Sequence, residues 1–542
     1  MYQDGAIMRL LRERIEEELT NILGKKYGIR VDFFLEESKD ESFGDYTTNL
    51  PFKLAKELKK DPSEIGEEIA SDLREFTALE NISIKKGFLN FRVSLRSLNE
   101  ILGEILASPE DFGKSNLGKG TKVNLEFVSA NPTGPLVIVN ARAAAVGDSL
   151  KKIMNFCGFF VESEFYVNDA GTQIEKLRRS VEARIMELQG LKSDFPEDGY
   201  QGEYVYDIAK KIIEDNFNGD PGQFAVDYIH QWQKSTLERY RVKFDNFVFE
   251  SWIRKSEYPE KTKKTLESHG LLYKEENGAL LFKSTVFGDD KDRVLIRSNG
   301  EPTYFFFDLA YHLYKMDRKY NVLVDIWGPD HHGYIPRMKA GLEALGFDTE
   351  NFKVLVAQQV NLIRDHEKVK MSKRKGEIYS MDDLIEEVGS DAARFFFLTR
   401  TVNSHLDFDL ALAKTIGVQN PVYYIQYSHA RIASLLDFAK EKGYSPEGGK
   451  GSLLTEPEER SLMRKIMLFP DTLQSVSRTL EPHLLARYLL ELAELYHSYY
   501  QKVRIVTEDK ERSNARLLLS FGVKSVVKNG LNLLGVQAPE RM

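Results

Sequence analysis

Cysteine is almost missing from this 542-residue chain: Cys157 is the only one. A single thiol closes no internal disulfide and is too little for a multi-cysteine zinc site, which points to a reducing cytosol. No stretch approaches the roughly 18 apolar residues that span a bilayer, so an integral membrane protein is not expected. The opening MYQDGAIMRLLRERIEEEL lacks the basic start, continuous apolar stretch and small-residue cleavage site of a secretory signal. Positive charge is not in surplus either. Lys+Arg number 75 against 83 Asp+Glu, a formal net charge of −8. That excludes wholesale coating of nucleic acid but leaves room for a local basic face. Residues 400–542 hold 19 Lys+Arg against 16 Asp+Glu, while the rest holds 56 against 67. The positive C-terminal part suits an anionic partner; chance explains it equally well.

What is present is enough apolar residue, 42%, to fill several cores, and a length that suggests about three domains. Ile7, Leu10, Leu11, Ile15, Leu19, Ile22 and Leu23 share one helical face. Helices near Asn49–Leu58 and Ser63–Phe76 follow, then NISIKKGFLNFRV alternates as two strands about Gly87. This reads as a small α+β domain ending in the Gly/Ser/Lys-rich stretch 108–120. A strand over Thr121–Val128, the turn NPTGP and an Ala-rich helix over Ile138–Asn155 come next. GFFVESEFYVND and NVLVDIWG read as strands, NGALLFKST and DRVLIRSNG as strands of a hairpin-like section, and TYFFFDLAYHLYKMDRKY as a helix; strands alternating with helices imply a parallel α/β core. Residues 175–250 read as polar and mostly helical. After about residue 400 no further strand is expected, only helices.

Five places carry possible chemistry. Gly113–Lys119 matches GxxxxGK, but Gly120 replaces the Ser/Thr and the stretch precedes its strand, so it is a linker and not a phosphate loop. In EFVSANPTGPLVIVNAR, two prolines and Gly134 turn the chain sharply off a strand, and the following helix N-terminus offers free N–H groups to phosphate; a plain βα turn is the simpler reading. WGPDHHGYIPR places an acid and two histidines after a buried strand, where parallel sheets bind ligands; histidines there are also often merely solvated. HEKVKMSKRKG gathers Lys368, Lys370, Lys373, Arg374 and Lys375 on one loop, suited to a polyphosphate or to solvent. Tyr304 and Asp308 share a helix face at i and i+4. A carboxylate beside a phenol suits a guanidinium, though an acid near a helix start is favoured by the dipole alone.

Together these motifs resemble class I aminoacyl-tRNA synthetases, and within them the bacterial-type arginyl-tRNA synthetase family. KMSKR at Lys370–Arg374 resembles the class's KMSKS loop, and SANPTGPL the approach to its HIGH motif. WGPDHHGYIPRMKAGLEALG, DAARFFFLTR, SHLDFDLALA, NPVYYIQYSHARI and LLGVQAPERM follow in family order. One departure stands out. The HxGH tetrapeptide falls on Val137, Ile138, Val139 and Asn140, so both histidines are gone.

The resemblance implies a Rossmann-like class I catalytic core over 111–400, a small N-terminal α+β domain over 1–110 contacting the tRNA elbow, and an all-α DALR-type anticodon-binding domain over 401–542. It implies ATP-dependent activation of L-arginine and transfer to tRNA(Arg), with Mg2+ on the ATP and no protein-bound zinc or other metal. It assigns arginine contacts to Glu126, Asn131, Tyr304, Asp308 and His332. ATP contacts go to Pro132, Thr133, Gly134, Asn140, Gly328, Asp330, His331, Met371 and Ser372, and catalytic roles to Lys370, Lys373 and Asn140. The DALR signature reads Asp391, Ala392, Ala393, Arg394. Tyr423, Tyr424, Tyr427, Tyr496, Tyr499 and Tyr500 supply stacking planes of which one or two touch RNA. A cytoplasmic monomer is expected, since no heptad array demands a dimer. Two other readings stay open: adenylyl transfer to a non-tRNA acceptor, and a non-catalytic tRNA binder that has lost its histidines.

Overall fold

The computed structural model describes residues 10–38, 40–364, 367–369 and 379–542. The N-terminal helix spans Leu11–Ile22 and buries Leu11, Ile15, Leu19 and Ile22, the face its spacing predicts. Strands Leu79–Lys85 and Phe88–Val93 turn at Lys86 and Gly87, both with positive φ (53° and 80°), as a tight hairpin requires. They join Glu36–Glu37 and Tyr46–Thr48 in a four-stranded antiparallel sheet. A helix over Leu95–Ala107, not foreseen in the sequence, leads out of this region.

The centre is a five-stranded parallel sheet: β1 (Lys122–Glu126), β2 (Phe160–Val167), β3 (Asn246–Phe249), β4 (Val322–Trp327) and β5 (Phe352–Val356), in spatial order β5-β4-β1-β2-β3. Helix α1 (Ile138–Phe156) connects β1 to β2, and α2 (Tyr304–Asp317) precedes β4. Chain order reverses between β1 and β4, the switch point where such sheets open a crevice at their carboxyl ends. α1 lies directly on the end of β1: a Cβ on Gly147 would stand 2.3 Å from the ring of Phe127. Between β2 and β3, helices Thr172–Leu188, Glu203–Glu214 and Pro221–Arg239 form a separate packed unit.

After residue 400 the structure departs from the sequence reading. Leu406–Asp409 is a strand, β7, paired in parallel with β6 (Val360–Arg364). Leu406 and Phe408 are buried while Asp407 and Asp409 face outward, a period-2 pattern too short to stand out. Helix α3 (Met381–Phe397) lies between them in the chain. Helices from Pro421 to Leu533 then form the C-terminal bundle. The signature residues sit in its joint with the core. Arg394 is fully buried, donates to the carbonyls of Leu534 and Tyr240 at 3.0 Å each, and pairs with Asp148 of α1. Asp391 accepts from Gln426 (2.9 Å) and the Gln537 amide (3.1 Å). Arg142 similarly ties core to loops, donating to the carbonyls of Gln358, Ser404 and Thr401 at 2.7–3.0 Å.

Candidate active site

β1 ends in Glu126, and past Phe127 two residues turn through conformations that side chains rarely adopt: Val128 has φ 71° and Ser129 φ 39°. For a β-branched residue this is a strained turn, of the kind that persists where the surroundings fix it. It aims the Ser129 hydroxyl at Glu126 Oε1 (2.8 Å), and Ser129 Oγ in turn accepts from the Tyr166 amide (3.1 Å). The ANPTGP turn is braced from the insertion helices. Tyr204 donates to the Thr133 carbonyl (2.7 Å), and Gln233 to those of Asn131 (3.0 Å) and Gly134 (2.9 Å). Asn131 donates its side-chain amide to Gln173. Pro132 is buried.

Asp325, Glu126 and Glu164 are register partners on three adjacent strands and form a row of carboxylates across the sheet. Like charges so placed repel; α2 supplies the compensation. Lys315, with no exposure, donates to Glu126 Oε2 (2.5 Å) and Asp325 Oδ1 (2.9 Å). The Tyr311 hydroxyl lies 2.9 Å from Glu126 and 2.6 Å from Glu164, and Arg318 pairs with Glu164. His312 bridges Asp325 Oδ2 (3.0 Å) and the Asp308 carbonyl (2.8 Å). Burial alone would raise Asp325, but Lys315 and His312 outweigh it and hold the carboxyl at about 2. Burial opposes the Lys315 charge, yet Asp325, Glu126 and Glu164 push it above the ordinary lysine range.

One turn further on, α2 presents Asp308 and Tyr304 to the crevice. Asp308 accepts from the Tyr334 hydroxyl. Burial nevertheless raises its carboxyl, against the pull of Tyr334, His312 and His331. No salt bridge reaches it among the described residues. Tyr304 is 52% exposed and its hydroxyl meets the Asn168 side chain. Glu250, absent from the sequence reading, is fully buried nearby; burial raises it and Arg254, 2.7 Å away, opposes the shift. Flipping the Asn168 amide lets it donate to Glu250 at 2.6 Å. The signal that pointed here was Tyr304 and Asp308 at i and i+4 on one helix face; Tyr311, His312 and Lys315 carried none. Glu250 had none, because its helix, Glu250–Lys255, is a short one after a short strand.

Gly328, Asp330, His331 and His332 follow β4; the last three are exposed on the turn Pro329–Tyr334, with the His331 ring between Trp327 and Tyr334. Val137 starts α1, and Asn140 Oδ1 accepts from the Val137 amide (2.9 Å), so half of the Asn140 amide caps its own helix. Lys370, Met371, Ser372 and Lys373 lie outside the described residues. The chain re-enters on the first motif, where Val137 and Ser380 form an isolated bridge and the Met381 amide donates to the Leu136 carbonyl (2.8 Å). Stretch 113–120 is a turn bonded to Cys157 and Gly158. Of the tyrosines offered for stacking, Tyr496 and Tyr499 are fully buried and bonded to Ser520 and Glu459, so they are core. Tyr423 and Tyr427 stack on each other at 6.1 Å, and Tyr500 is 37% exposed.

A parallel sheet with its crevice at the switch point and a charge-selective pocket beside it fits an enzyme that activates an amino acid. Residues 102–437 match the family described as "tRNA synthetases class I (R), catalytic domain", which places the chain among class I aminoacyl-tRNA synthetases. Residues 9–93 match "Arginyl tRNA synthetase N terminal domain" and 425–542 match "DALR anticodon binding domain". The chain is 41% identical to "Arginine--tRNA ligase 1" of Halalkalibacterium halodurans over 99% of its length and 100% of that protein. It is 42% identical to "Arginine--tRNA ligase" of Bacillus subtilis over 94% of each. The solved Thermus thermophilus arginyl-tRNA synthetase, at 24% identity, shares the fold over 98% of this chain and 100% of that one, with TM-score 0.80. The chain belongs to the arginyl-tRNA synthetase family, ATP-dependent ligases that join arginine to tRNA(Arg). No helix among the described residues is long and apolar enough to cross a membrane.

Proposed function

We propose that Asp308, Tyr304 and Glu250 receive the guanidinium of L-arginine and Glu126 its α-ammonium. The observation that carries this is Asp308: an enclosed carboxyl, raised by burial, with no cationic partner among the described residues. A guanidinium supplies the missing charge in bidentate geometry. Glu126 accepts three bonds, from Ser129, Tyr311 and Lys315; a carboxylate accepts about four, which leaves room for an ammonium donor. With both cationic ends held, the substrate carboxylate faces the ANPTGP turn and the start of α1. It attacks the α-phosphate of ATP; arginyl-adenylate forms and pyrophosphate leaves. Alignment and charge neutralisation do most of this work.

Asn140, with its free amide nitrogen, the α1 N-terminus, Pro132, Thr133 and Gly134 meet ATP from one side, and Gly328, Asp330 and His331 from the other; His332 borders the arginine pocket. Lys370, Met371, Ser372 and Lys373 close over the phosphates, and Mg2+ arrives with the ATP as part of the substrate. The arginyl group then passes to the 2′-hydroxyl of the terminal ribose. Regions 1–110, 111–400 and 401–542 serve as elbow-contacting, catalytic and anticodon-binding parts of a cytoplasmic monomer. Arginylation of total tRNA with radiolabelled arginine tests the assignment. Wild type charges tRNA with arginine alone, and Asp308→Asn does so only at raised arginine concentration; normal charging by the variant at low arginine refutes the pocket.

A further inference from the structure

Tyr166 carries a buried hydroxyl beside the crevice that finds no hydrogen-bond partner among the described residues. Its side chain leaves β2 on the same face as Glu164, two residues nearer the strand's carboxyl end, and so faces α2 and the pocket. The ring is pinned: it stacks on Tyr311 with centroids 4.4 Å apart and planes 28° apart, and packs in a small cluster with Val248, Ile253, Ala310 and Tyr311. The residue is 8% exposed. Its hydroxyl is buried and has no hydrogen-bond partner among the described residues. The charges around it are those of the pocket. Glu250, Asp308 and Glu126, together with the Tyr304 phenol, act on it in that order of strength, and burial with these carboxylates raises its proton's affinity well above the ordinary phenol range.

A buried hydroxyl left unbonded destabilises the fold, and native structures rarely keep one without a reason. We propose that Tyr166 is an arginine-binding residue: its oxygen accepts an N–H of the substrate guanidinium. The inference rests on the guanidinium pocket proposed above. Glu250 and Asp308 are the groups that act on the hydroxyl most strongly, which places it at the guanidinium end. A phenol kept protonated among carboxylates has both a lone pair and a proton to give, and the guanidinium is the ligand that needs acceptors there. In the free protein the hydroxyl contributes nothing to folding; in the complex it closes the donor count.

The test is Tyr166→Phe, which keeps the stacked ring and removes only the hydroxyl. Two quantities are read: the melting temperature without ligand, and the arginine dissociation constant by calorimetry. The expected result is a melting temperature equal to or above that of wild type, because an unbonded polar group is gone, with arginine binding weakened roughly tenfold or more. Unchanged arginine affinity overturns the proposal. A lowered melting temperature overturns it too, since the hydroxyl would then have a partner inside the protein. Asp308→Asn is measured alongside. If Asp308→Asn also binds arginine normally, the pocket itself is misplaced; if only Tyr166→Phe does, the pocket stands and this role of Tyr166 falls.

Discussion

Lys315 and Glu126 meet 2.5 Å apart at the floor of the crevice, with the lysine fully buried and the glutamate at 7% exposure. The lysine shares its charge with Asp325 at 2.9 Å, so one cation fixes two carboxylates of the row that crosses the sheet. Breaking such a pair from one side is costly, because it leaves charge buried and uncompensated.

Lys315→Met therefore has two expected effects. Folding stability falls by about 3–5 kcal/mol, read by urea denaturation. Asp325, held at about 2 with Lys315 present, rises without it. A depressed carboxyl contributes stability that is present above its unfolded value near 4 and lost as pH falls toward 2. The wild-type protein should thus lose this contribution between about pH 4 and pH 2, and the variant should lack it already at neutral pH. A variant as stable as wild type, with the same acid limb, contradicts the network.

Asp471 behaves in the opposite sense. It lies in a cavity of about 510 Å³ between the N-terminal sheet region and the C-terminal helices, accepting from the Tyr46 hydroxyl at 2.6 Å. Burial raises its carboxyl to about 6, with Tyr46 and Arg12 opposing. A raised carboxyl gives its stability below the unfolded value near 4 and loses it as pH climbs through about 6. Asp471→Asn should raise folding stability at pH 8 by on the order of 2–3 kcal/mol at most, read as a higher melting temperature. The gain should shrink to nothing at pH 4. A destabilised variant at pH 8 excludes the account.

Tyr304 and Asp308 stand out in the sequence as a phenol and an acid i, i+4 on one helix face, whereas Glu126 is pointed to only by the family resemblance. The parallel core was legible through alternating strand and helix periodicity. Glu250 and Tyr166 were not. Each lies in or beside an aromatic run, FVFE and EFYV, where a side chain's partner is decided by strands distant in sequence. The strand Leu406–Asp409 was missed because four residues with two acids carry too little pattern, and its pairing with Val360–Arg364 comes from the tertiary fold.

Val137 occupies a histidine position of the class, yet its backbone is used: it bridges Ser380 and donates its amide to Asn140. Replacing both residues, Val137→His with Asn140→His, removes the Asn140 cap, worth about 1 kcal/mol, and crowds a site packed for a valine, at about 1–3 kcal/mol. Arginylation should show little gain or a loss. A silent wild type revived by the histidines would mean a decayed site instead.

The loop lysine separates binding from chemistry. Lys373→Ala should slow adenylate formation in a presteady-state assay while leaving the arginine dissociation constant within about threefold, because a loop cation acts mainly as charge moves between phosphates. Unaffected adenylate formation would reduce the loop to a solvated turn.

The central claim is that the unmatched charge of Asp308 selects a guanidinium. Calorimetric titration of wild type and Asp308→Asn with arginine and with citrulline, its uncharged ureido analogue, tests it most directly. The account predicts that wild type prefers arginine strongly, and that the variant loses about 2–5 kcal/mol of arginine binding while its citrulline affinity barely changes. Equal arginine affinity in the two proteins would contradict it.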